Sequence, residues 1–387
     1  MEPSIQMNPV ALNNHNGART AERADSKTRL GRGELQVRIR SQAKWLTLGS
    51  ALLAFALAQH RGHAFDYAIG ADVSFLRQAE TNGIVFKDNG QPKPGLQIFK
   101  DHGYNWIRLR VFHTPTRLPN DLDYTIALAR DAKNLGLKFL LDFHYSDTWA
   151  DPAKQFIPKA WAGMSHSNLV NAVFDYSRDT MVALGKAGVP PDMVQIGNEI
   201  IHGMLWPDGK LPEHWDNLAE LIKAGIEGVH AGCSNATQPR IMIHIDRGGD
   251  KAGTQWFFDK LNSYGVTYDV IGQSYYPWWH GSLLDLRENL EFMAERYQKD
   301  IIVVEAAYNW RPTEYTRKPA PFPESPEGQK TFLEEVNRIV LSTPHGRGKG
   351  LFWWEPALGT GPKSRGMFDE NYNALPVITV FDSWTRK

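Results

Sequence analysis

The chain has 387 residues, 42% of them hydrophobic, so it can bury a large core as one large domain or two ordinary ones. Lysine plus arginine and aspartate plus glutamate number 43 each. This balance argues against a protein that attracts nucleic acid or an anionic membrane through its net charge, and leaves a small neutral or flexible polar substrate open.

The first segment differs in composition from the rest of the chain. Residues 1–44 are polar, without apolar periodicity, and we expect them to be unstructured. Basic side chains then precede an apolar run over 45–57 that is too short to span a bilayer comfortably. We interpret residues 1–64 as this extension plus a secretory signal peptide, cleaved after Ala58 or Ala64. The mature protein would be secreted or periplasmic and free of the membrane, a single membrane anchor being the alternative.

Eight short runs rich in branched and aromatic apolar residues follow, and they predict strands. These runs cover 67–75, 106–112, 137–145, 193–199, 240–246, 269–277, 300–308 and 350–356. Between them lie amphipathic stretches with helical spacing, such as LDYTIALARDAKNLG and LAELIKAGIEGVH. Strand and helix in alternation predict a (β/α)8 TIM barrel, as a single domain over 65–387. A doubly wound sheet is disfavoured because no glycine-rich phosphate loop follows the first strand.

Polar residues at the carboxyl ends of these strands should meet at the floor of the barrel's functional face. They are Asp72, Arg108, Arg110, Asp142, His144, Asn198, Glu199, Asp246, Tyr275, Tyr276, Glu305 and Trp354. Glu199 and Glu305 each end an apolar run, where an ionised carboxylate is costly unless it has a partner or a function. Two facing carboxylates are what cleavage of a glycosidic bond requires. The alternative is that each is a buried ion-pair partner of Arg108 or Arg110.

Seven motifs from about Tyr67 to the C-terminus carry a family resemblance. They are GADVSFL, GYNWIRLRVF, LDFHYSDTWADPAKQFIPKAW, QIGNEI, DVIGQSYYPWW, VVEAAY and FWWEP. Together they resemble glycoside hydrolase family 53, the endo-β-1,4-galactanases, within a large clan of retaining barrel enzymes. The blocks DFHYSDTWADP and SYYPWW are specific to the family, whereas an Asn-Glu pair after a strand is common to the clan. The resemblance implies hydrolysis of β-1,4-galactosidic bonds in the (arabino)galactan side chains of pectin, with net retention.

The resemblance also implies roles for individual residues. Glu199 matches the general acid and base, Glu305 matches the nucleophile, and Asn198 matches the amide that contacts the sugar 2-hydroxyl. The acid must keep its proton near neutrality and the nucleophile must stay ionised, so we expect Arg108 or Arg110 to pair with Glu305. Both arginines are predicted to bind substrate.

The other predicted sugar contacts are mainly aromatic. Tyr276 resembles the clan tyrosine that donates to the nucleophile, with Tyr275 as the alternative. Trp354 resembles the clan tryptophan under the sugar ring, and further stacking faces could come from Trp149, Trp278 and Trp279. Trp106, Trp161 and Trp353 are expected to be core residues. Asp142 and His144 would orient the sugar or tune the acid, or else be satisfied polar residues of the barrel floor.

No metal or other cofactor is expected. The chain lacks an HExxH motif or clustered histidines and cysteines, and the loop over 309–329 holds Glu314 and Glu324 without an aspartate-rich run. The single cysteine, Cys233, cannot form an intrachain disulfide. We expect a monomer that acts on polysaccharide. The alternatives are a related xylanase or mannanase, or a barrel that binds carbohydrate without cleaving it, which the presence of both glutamates disfavours.

Overall fold

A computed structural model describes residues 66–234, 238–312, 320–357 and 364–384. The predicted extension and signal peptide lie outside these residues, as does Glu314. The described chain closes into a barrel of eight parallel strands, in sequential order. The strands are β1 Ala68–Asp72, β2 Trp106–Val111, β3 Lys138–Phe143, β4 Met193–Ile196, β5 Arg240–Ile245, β6 Val270–Tyr275, β7 Asp300–Ala306 and β8 Gly348–Trp353. The predicted (β/α)8 barrel is therefore confirmed.

Eight α-helices lie outside the strands in the described ranges. They are α1 Leu76–Thr81, α2 Gly95–Asp101, α3 Leu122–Asn134, α4 His166–Lys186, α5 Trp215–Gly232, α6 Lys251–Ser263, α7 Leu283–Tyr297 and α8 Pro326–Leu341. Side-chain caps begin several of them: Asp121 accepts from a backbone N–H of α3, and Ser165 does so for α4. Ser282 and Asp285 form a capping box at the start of α7. None of the described helices is long and apolar enough to cross a bilayer.

The lower part of the barrel interior is a closed apolar cluster. It consists of Ala68, Trp106, Leu140, Met193, Met242, Val270, Ile302, Val304 and Phe352. Gly70 leaves room for the ring of Phe352, since a Cβ at this position would lie 2.2 Å from the ring's Cδ1 atom. This layer blocks the barrel from below, so a substrate can approach only from the carboxyl ends of the strands.

A β-bulge in β7 changes the direction of one carboxylate. Gln273 of β6 pairs with Val303, but the next residue, Ser274, pairs with Glu305, so β7 carries one extra residue. Strict alternation would point Val304 into the barrel and Glu305 outward towards the helices. The bulge instead lets Glu305 join the interior face at the top of the barrel.

The end of β4 is shaped by two residues with positive φ. Gly197 has φ 75° and Glu199 has φ 49°, and the short 3₁₀ helix Ile200–His202 follows. A side chain at Gly197 would clash, because its Cβ would lie 2.7 Å from Cγ2 of Ile200. This turn allows the consecutive side chains of Asn198 and Glu199 to face the same cavity.

Candidate active site

A cavity of about 270 Å³ opens at the carboxyl ends of the strands. Its walls are formed by Arg108, Arg110, His144, Trp149, Ala150, Asp151, Lys154, Asn198, Glu199, Tyr276, Glu305, Trp354 and Arg365. The structure therefore brings together nine of the eleven residues predicted from the sequence. Asp142 and Trp278 do not line this cavity.

Glu305 is held by two hydrogen-bond donors. Nη1 of Arg108 lies 2.7 Å from Oε1, and the Tyr276 hydroxyl donates to Oε2 at 2.8 Å. Burial raises the pKa of Tyr276 well above its ordinary value, and the charges of Glu305 and Glu199 raise it further. Tyr276 therefore remains a donor, and both contacts stabilise a negative charge on Glu305.

Arg108 is the central cation of the site. Its guanidinium also lies against Asp72 at 3.1 Å, Asp142 at 2.8 Å, Asn198 at 2.7 Å and Gln195 at 3.2 Å. Burial by itself would lower the pKa of Arg108, but the negative charges of Asp142, Glu305 and Asp72 outweigh it and raise the pKa. A permanently charged guanidinium thus connects the nucleophile candidate to the amide of Asn198.

Arg110 has different partners. It pairs with Asp72 at 2.7 Å and with Glu355, and its guanidinium lies 4.4 Å from the ring centroid of Trp149. Burial raises the pKa of Glu355 well above its ordinary range, while Arg110 opposes the shift. Of the two arginines considered from the sequence, Arg108 is the partner of Glu305, and Arg110 forms part of the wall beside Trp149.

Asp142 and His144 stabilise the floor of the site from below. Nδ1 of His144 accepts from the Ala150 backbone N–H at 3.0 Å, so the ring proton lies on Nε2, which donates to Asp142 at 3.0 Å. Asp142 is fully buried and also accepts from Gln195 at 2.6 Å. Among the described residues, Gln195, Arg108 and His144 surround Asp142, an arrangement that fits the satisfied polar residue considered from the sequence, and its role as a sugar contact stays a prediction. His144 does reach the cavity wall.

The amide of Asn198 is fixed in one orientation. Its Nδ2 donates to the Ala150 carbonyl at 2.9 Å, and its Oδ1 accepts from Arg108 at 2.7 Å and from Gln195 at 3.1 Å. These contacts hold the side chain at the cavity wall, next to Glu199.

Glu199 has the opposite environment to Glu305. Within the described part of the chain, Ser274 is the only side chain that donates to its carboxyl group, at 2.7 Å to Oε1. Burial raises the pKa of Glu199 well above its ordinary value, the charges of Glu305 and Asp246 add to the shift, and the Ser274 hydrogen bond opposes it. Asp246, at the end of β5, has a pKa raised to about 7, mainly by burial. A carboxyl group in such surroundings can hold a proton near neutrality.

Aromatic rings form the walls above the carboxylates. Trp354 and Trp149 approach each other with centroids 6.2 Å apart, and the Tyr276 ring lies 6.3 Å from Trp354. Trp278 lies outside this cavity: it is 6% exposed, stacks on Tyr308 at 5.5 Å and lines a second pocket with Trp279, so its role as a stacking face stays a prediction. Trp279 is 44% exposed beside Tyr276. As expected, Trp106, Trp161 and Trp353 are buried.

Several residues of the site were missed from the sequence. Gln195 and His244 lie two positions after the inward residues Met193 and Met242, so strict alternation along each strand could have identified them. Lys154 and Arg365 lie on loops, where no periodic pattern exists. Arg365 stacks over the Trp354 ring at 5.1 Å. Across the described ranges no group of three histidine, cysteine, aspartate or glutamate residues could hold a metal ion.

Comparisons with known proteins give one consistent family. The model of glycosyl hydrolase family 53 matches residues 68–381. An uncharacterized protein of Niallia circulans is 44% identical, over 75% of this chain and 84% of its own length. An arabinogalactan endo-β-1,4-galactanase of Thermothelomyces thermophilus is 38% identical, over 81% and 98%. The fold matches a solved fungal β-1,4-galactanase with a TM-score of 0.77 at 36% identity, covering 83% of this chain and 99% of the other.

Proposed function

The chain belongs to glycosyl hydrolase family 53 and is an endo-β-1,4-galactanase, and we propose that it cleaves galactan through Glu305 as nucleophile and Glu199 as general acid and base. The substrate we infer is the β-1,4-galactan of pectin side chains. The observation that carries the two roles is the contrast in environment at one cavity. Glu305 receives hydrogen bonds from Arg108 and Tyr276, whereas burial and neighbouring negative charge favour the protonated form of Glu199.

The first step forms a galactosyl-enzyme. A carboxylate oxygen of Glu305 attacks the anomeric carbon, and the bond from that carbon to the leaving oxygen breaks. Glu199 donates its proton to the leaving oxygen, so the shortened chain departs as an alcohol. Arg108 and Tyr276 hold the attacking carboxylate in place. The side chain of Asn198, oriented by Arg108, is available to the 2-hydroxyl of the sugar.

The second step returns the enzyme to its starting state. Glu199, now ionised, takes a proton from water as the water oxygen attacks the anomeric carbon. The bond between that carbon and Glu305 breaks, which frees the carboxylate. Two displacements at one carbon retain the β configuration. This mechanism requires carboxyl groups about 5 to 5.5 Å apart, which a crystal structure would measure.

The test is a comparison of substrates. Purified protein should release reducing ends from linear β-1,4-galactan and should act at least a hundredfold less on β-1,4-xylan, β-1,4-mannan and cellulose. Preference for xylan or mannan would assign a different β-glycanase activity. Proton NMR of the earliest products should show the β anomer, and the α anomer would refute the retaining mechanism.

Export and monomeric state belong to this proposal as well. The basic and apolar residues over 38–57 have the order of a secretory signal. N-terminal sequencing of protein recovered outside the cytoplasm should begin at residue 59 or 65. Light scattering should give the mass of one mature chain, and binding to nucleic acid or lipid vesicles should be undetectable. Protein retained in the membrane with residues 1–64 attached would support the anchor interpretation instead.

A further inference from the structure

A serine and a histidine connect the carboxyl group of Glu199 to its own backbone. The Ser274 hydroxyl lies 2.7 Å from Oε1 of Glu199 and 2.8 Å from Nε2 of His244. The other ring nitrogen, Nδ1, lies 3.4 Å from the Glu199 backbone nitrogen. Ser274 and His244 are both fully buried, so water does not compete for these contacts.

Counting donors and acceptors shows in which direction the hydrogen bonds between Glu199, Ser274 and His244 run. Oδ1 of Asn198 lies 3.1 Å from Nδ1 of His244, but it already accepts from Arg108 at 2.7 Å and has Gln195 as a further donor at 3.1 Å, so it does not depend on a proton at Nδ1. The backbone N–H of Glu199, in contrast, has Nδ1 as its acceptor. The His244 tautomer with its proton on Nε2 gives this N–H its acceptor and leaves Oδ1 of Asn198 to its other donors.

The remaining hydrogen bonds follow from this tautomer. Nε2–H of His244 donates to the Ser274 oxygen, which leaves the single hydroxyl proton of Ser274 to donate to Oε1 of Glu199. Because Oε1 then acts as an acceptor, the carboxyl proton of the acid form lies on Oε2. Oε2 receives no hydrogen bond from the described residues and belongs to a side chain of the cavity wall.

We infer that Ser274 and His244 are positioning residues for Glu199, which place its transferable proton on the oxygen that faces the sugar. This inference rests on the proposed acid and base role of Glu199. The same arrangement serves both states of the carboxyl group, because the Ser274 donor also stabilises the ionised form in the second step. The histidine holds the serine hydroxyl in one direction and need not exchange a proton itself.

Other titratable and charged groups face Glu199 and His244, and their charges also affect the pKa values of these two residues. Glu199 faces Glu305 on β7, Asp246 at the end of β5 and Arg108 on β2. His244 faces Arg108, His144 and His280. Burial, with the positive charge of Arg108 as the next cause, holds the pKa of His244 well below its ordinary value, so the ring stays neutral through the working range.

The experiment compares two substrates that differ in their need for an acid. Galactan has a sugar alcohol as leaving group and needs protonation, whereas 2,4-dinitrophenyl β-galactobioside does not. Ser274→Ala should lower kcat/KM on galactan by about tenfold, because the carboxyl group loses the hydrogen bond that orients it. The dinitrophenyl substrate should change by less than about twofold. Loss of the Ser274 donor should raise the pKa of Glu199, because this hydrogen bond stabilises the carboxylate. The alkaline limb of the pH profile of kcat/KM on galactan should therefore move to higher pH.

Two variants serve as controls. Ser274→Thr keeps a hydroxyl and should restore most of the galactan activity. Ser177→Ala removes another fully buried hydroxyl, which contacts Tyr145 and the Val173 carbonyl away from the cavity, and should leave both rates and the pH profile unchanged. Equal loss on both substrates with an unmoved alkaline limb would overturn the inference, because a purely structural defect predicts that result.

The tautomer can be measured without any change in the serine. Histidine labelled with ¹⁵N, with His244 identified by comparison with His244→Gln, should show a neutral ring protonated on Nε2. A ring protonated on Nδ1 would overturn the inference even if Ser274→Ala fails to fold. If the unmodified protein does not cleave galactan, the proposed function fails, whereas the tautomer measurement still decides the hydrogen-bond chain.

Discussion

Arg108 and Glu305 start from strands three places apart around the barrel, yet Nη1 of Arg108 lies 2.7 Å from Oε1 of Glu305. The same guanidinium lies 2.7 Å from the amide oxygen of Asn198. One buried cation therefore sets the distance between Glu305, the proposed nucleophile, and Asn198, which lies beside the proposed acid Glu199. A change at Arg108 should alter stability and activity together.

Arg108→Lys should lower both the stability of the protein and its activity on galactan. Lysine carries one compact charge and cannot satisfy Asp72, Asp142 and Glu305 together, so buried carboxylates lose their donors. We expect the free energy of unfolding to fall by about 3 to 5 kcal/mol and galactan hydrolysis by at least a hundredfold. Denaturant titration and kcat/KM measure the two effects. Arg178 pairs with Asp175 and Asp179 at the surface, where water screens the charges, so the control Arg178→Lys should leave stability and activity unchanged. Equal small effects of the two variants would contradict the central role of Arg108.

Adjacent tyrosines provide a matched pair of substitutions. Tyr276→Phe removes the hydroxyl that donates to Glu305 and should reduce kcat by about 10- to 100-fold, because a hydrogen bond to a charged group contributes about 1.5 to 3 kcal/mol. Tyr275→Phe removes a hydroxyl that donates to the Gly281 carbonyl and should leave kcat within about twofold. Steady-state kinetics on galactan measure kcat for both variants. A larger loss of kcat in Tyr275→Phe than in Tyr276→Phe would make Tyr275 the tyrosine that resembles the clan residue.

Azide rescue can assign the two glutamates independently. Glu305→Ala leaves space for azide to attack the anomeric carbon from the nucleophile's face, so an activated β-galactoside should yield the α-azide. Glu199→Ala still forms the galactosyl-enzyme from an activated substrate, and azide should then yield the β-azide. NMR of the products measures the configuration. If Glu305→Ala gave the β-azide and Glu199→Ala gave the α-azide, Glu199 would be the nucleophile and Glu305 the acid and base.

The charge of Asp246 predicts a shift in the pH profile. Asp246 raises the pKa of Glu199, so Asp246→Asn should lower that pKa. In the proposed mechanism, galactan hydrolysis needs protonated Glu199 and is lost as pH rises through its pKa. The alkaline limb of the pH profile of kcat/KM should therefore move to lower pH. Because the pKa of Asp246 itself is about 7, the effect should be largest above that pH.

Asp250→Asn is the control for this prediction. Asp250 is about half exposed and lies 3.4 Å from Arg247, the residue that also pairs with Asp246. Neutralising it should leave the alkaline limb in place, because solvent screens its charge from the cavity. An alkaline limb that moves upward in Asp246→Asn would contradict the assigned electrostatics.

The strand pattern could be read from the sequence, and so could the two glutamates that line the cavity. Branched apolar runs alternating with helical spacing specify a parallel barrel, and a carboxylate at the end of such a run is rare enough to indicate chemistry. The choice between Arg108 and Arg110 could not be read in this way. Both point inward from β2 at alternate positions, and only the packing around Trp149 and Glu355 directs Arg110 away from Glu305.

By itself, the sequence determined the number and order of the strands, because those depend on local apolar periodicity and chain length. Only the tertiary structure decided which side chains meet. Strict alternation after Ile302 and Val304 would turn Glu305 away from the barrel, and the β7 bulge reverses this through its register with β6. Trp278 lies outside the cavity for a similar reason, since it stacks on the Tyr308 ring, which comes from a distant part of the chain. Register and burial depend on neighbouring strands and loops, and no local pattern contains them.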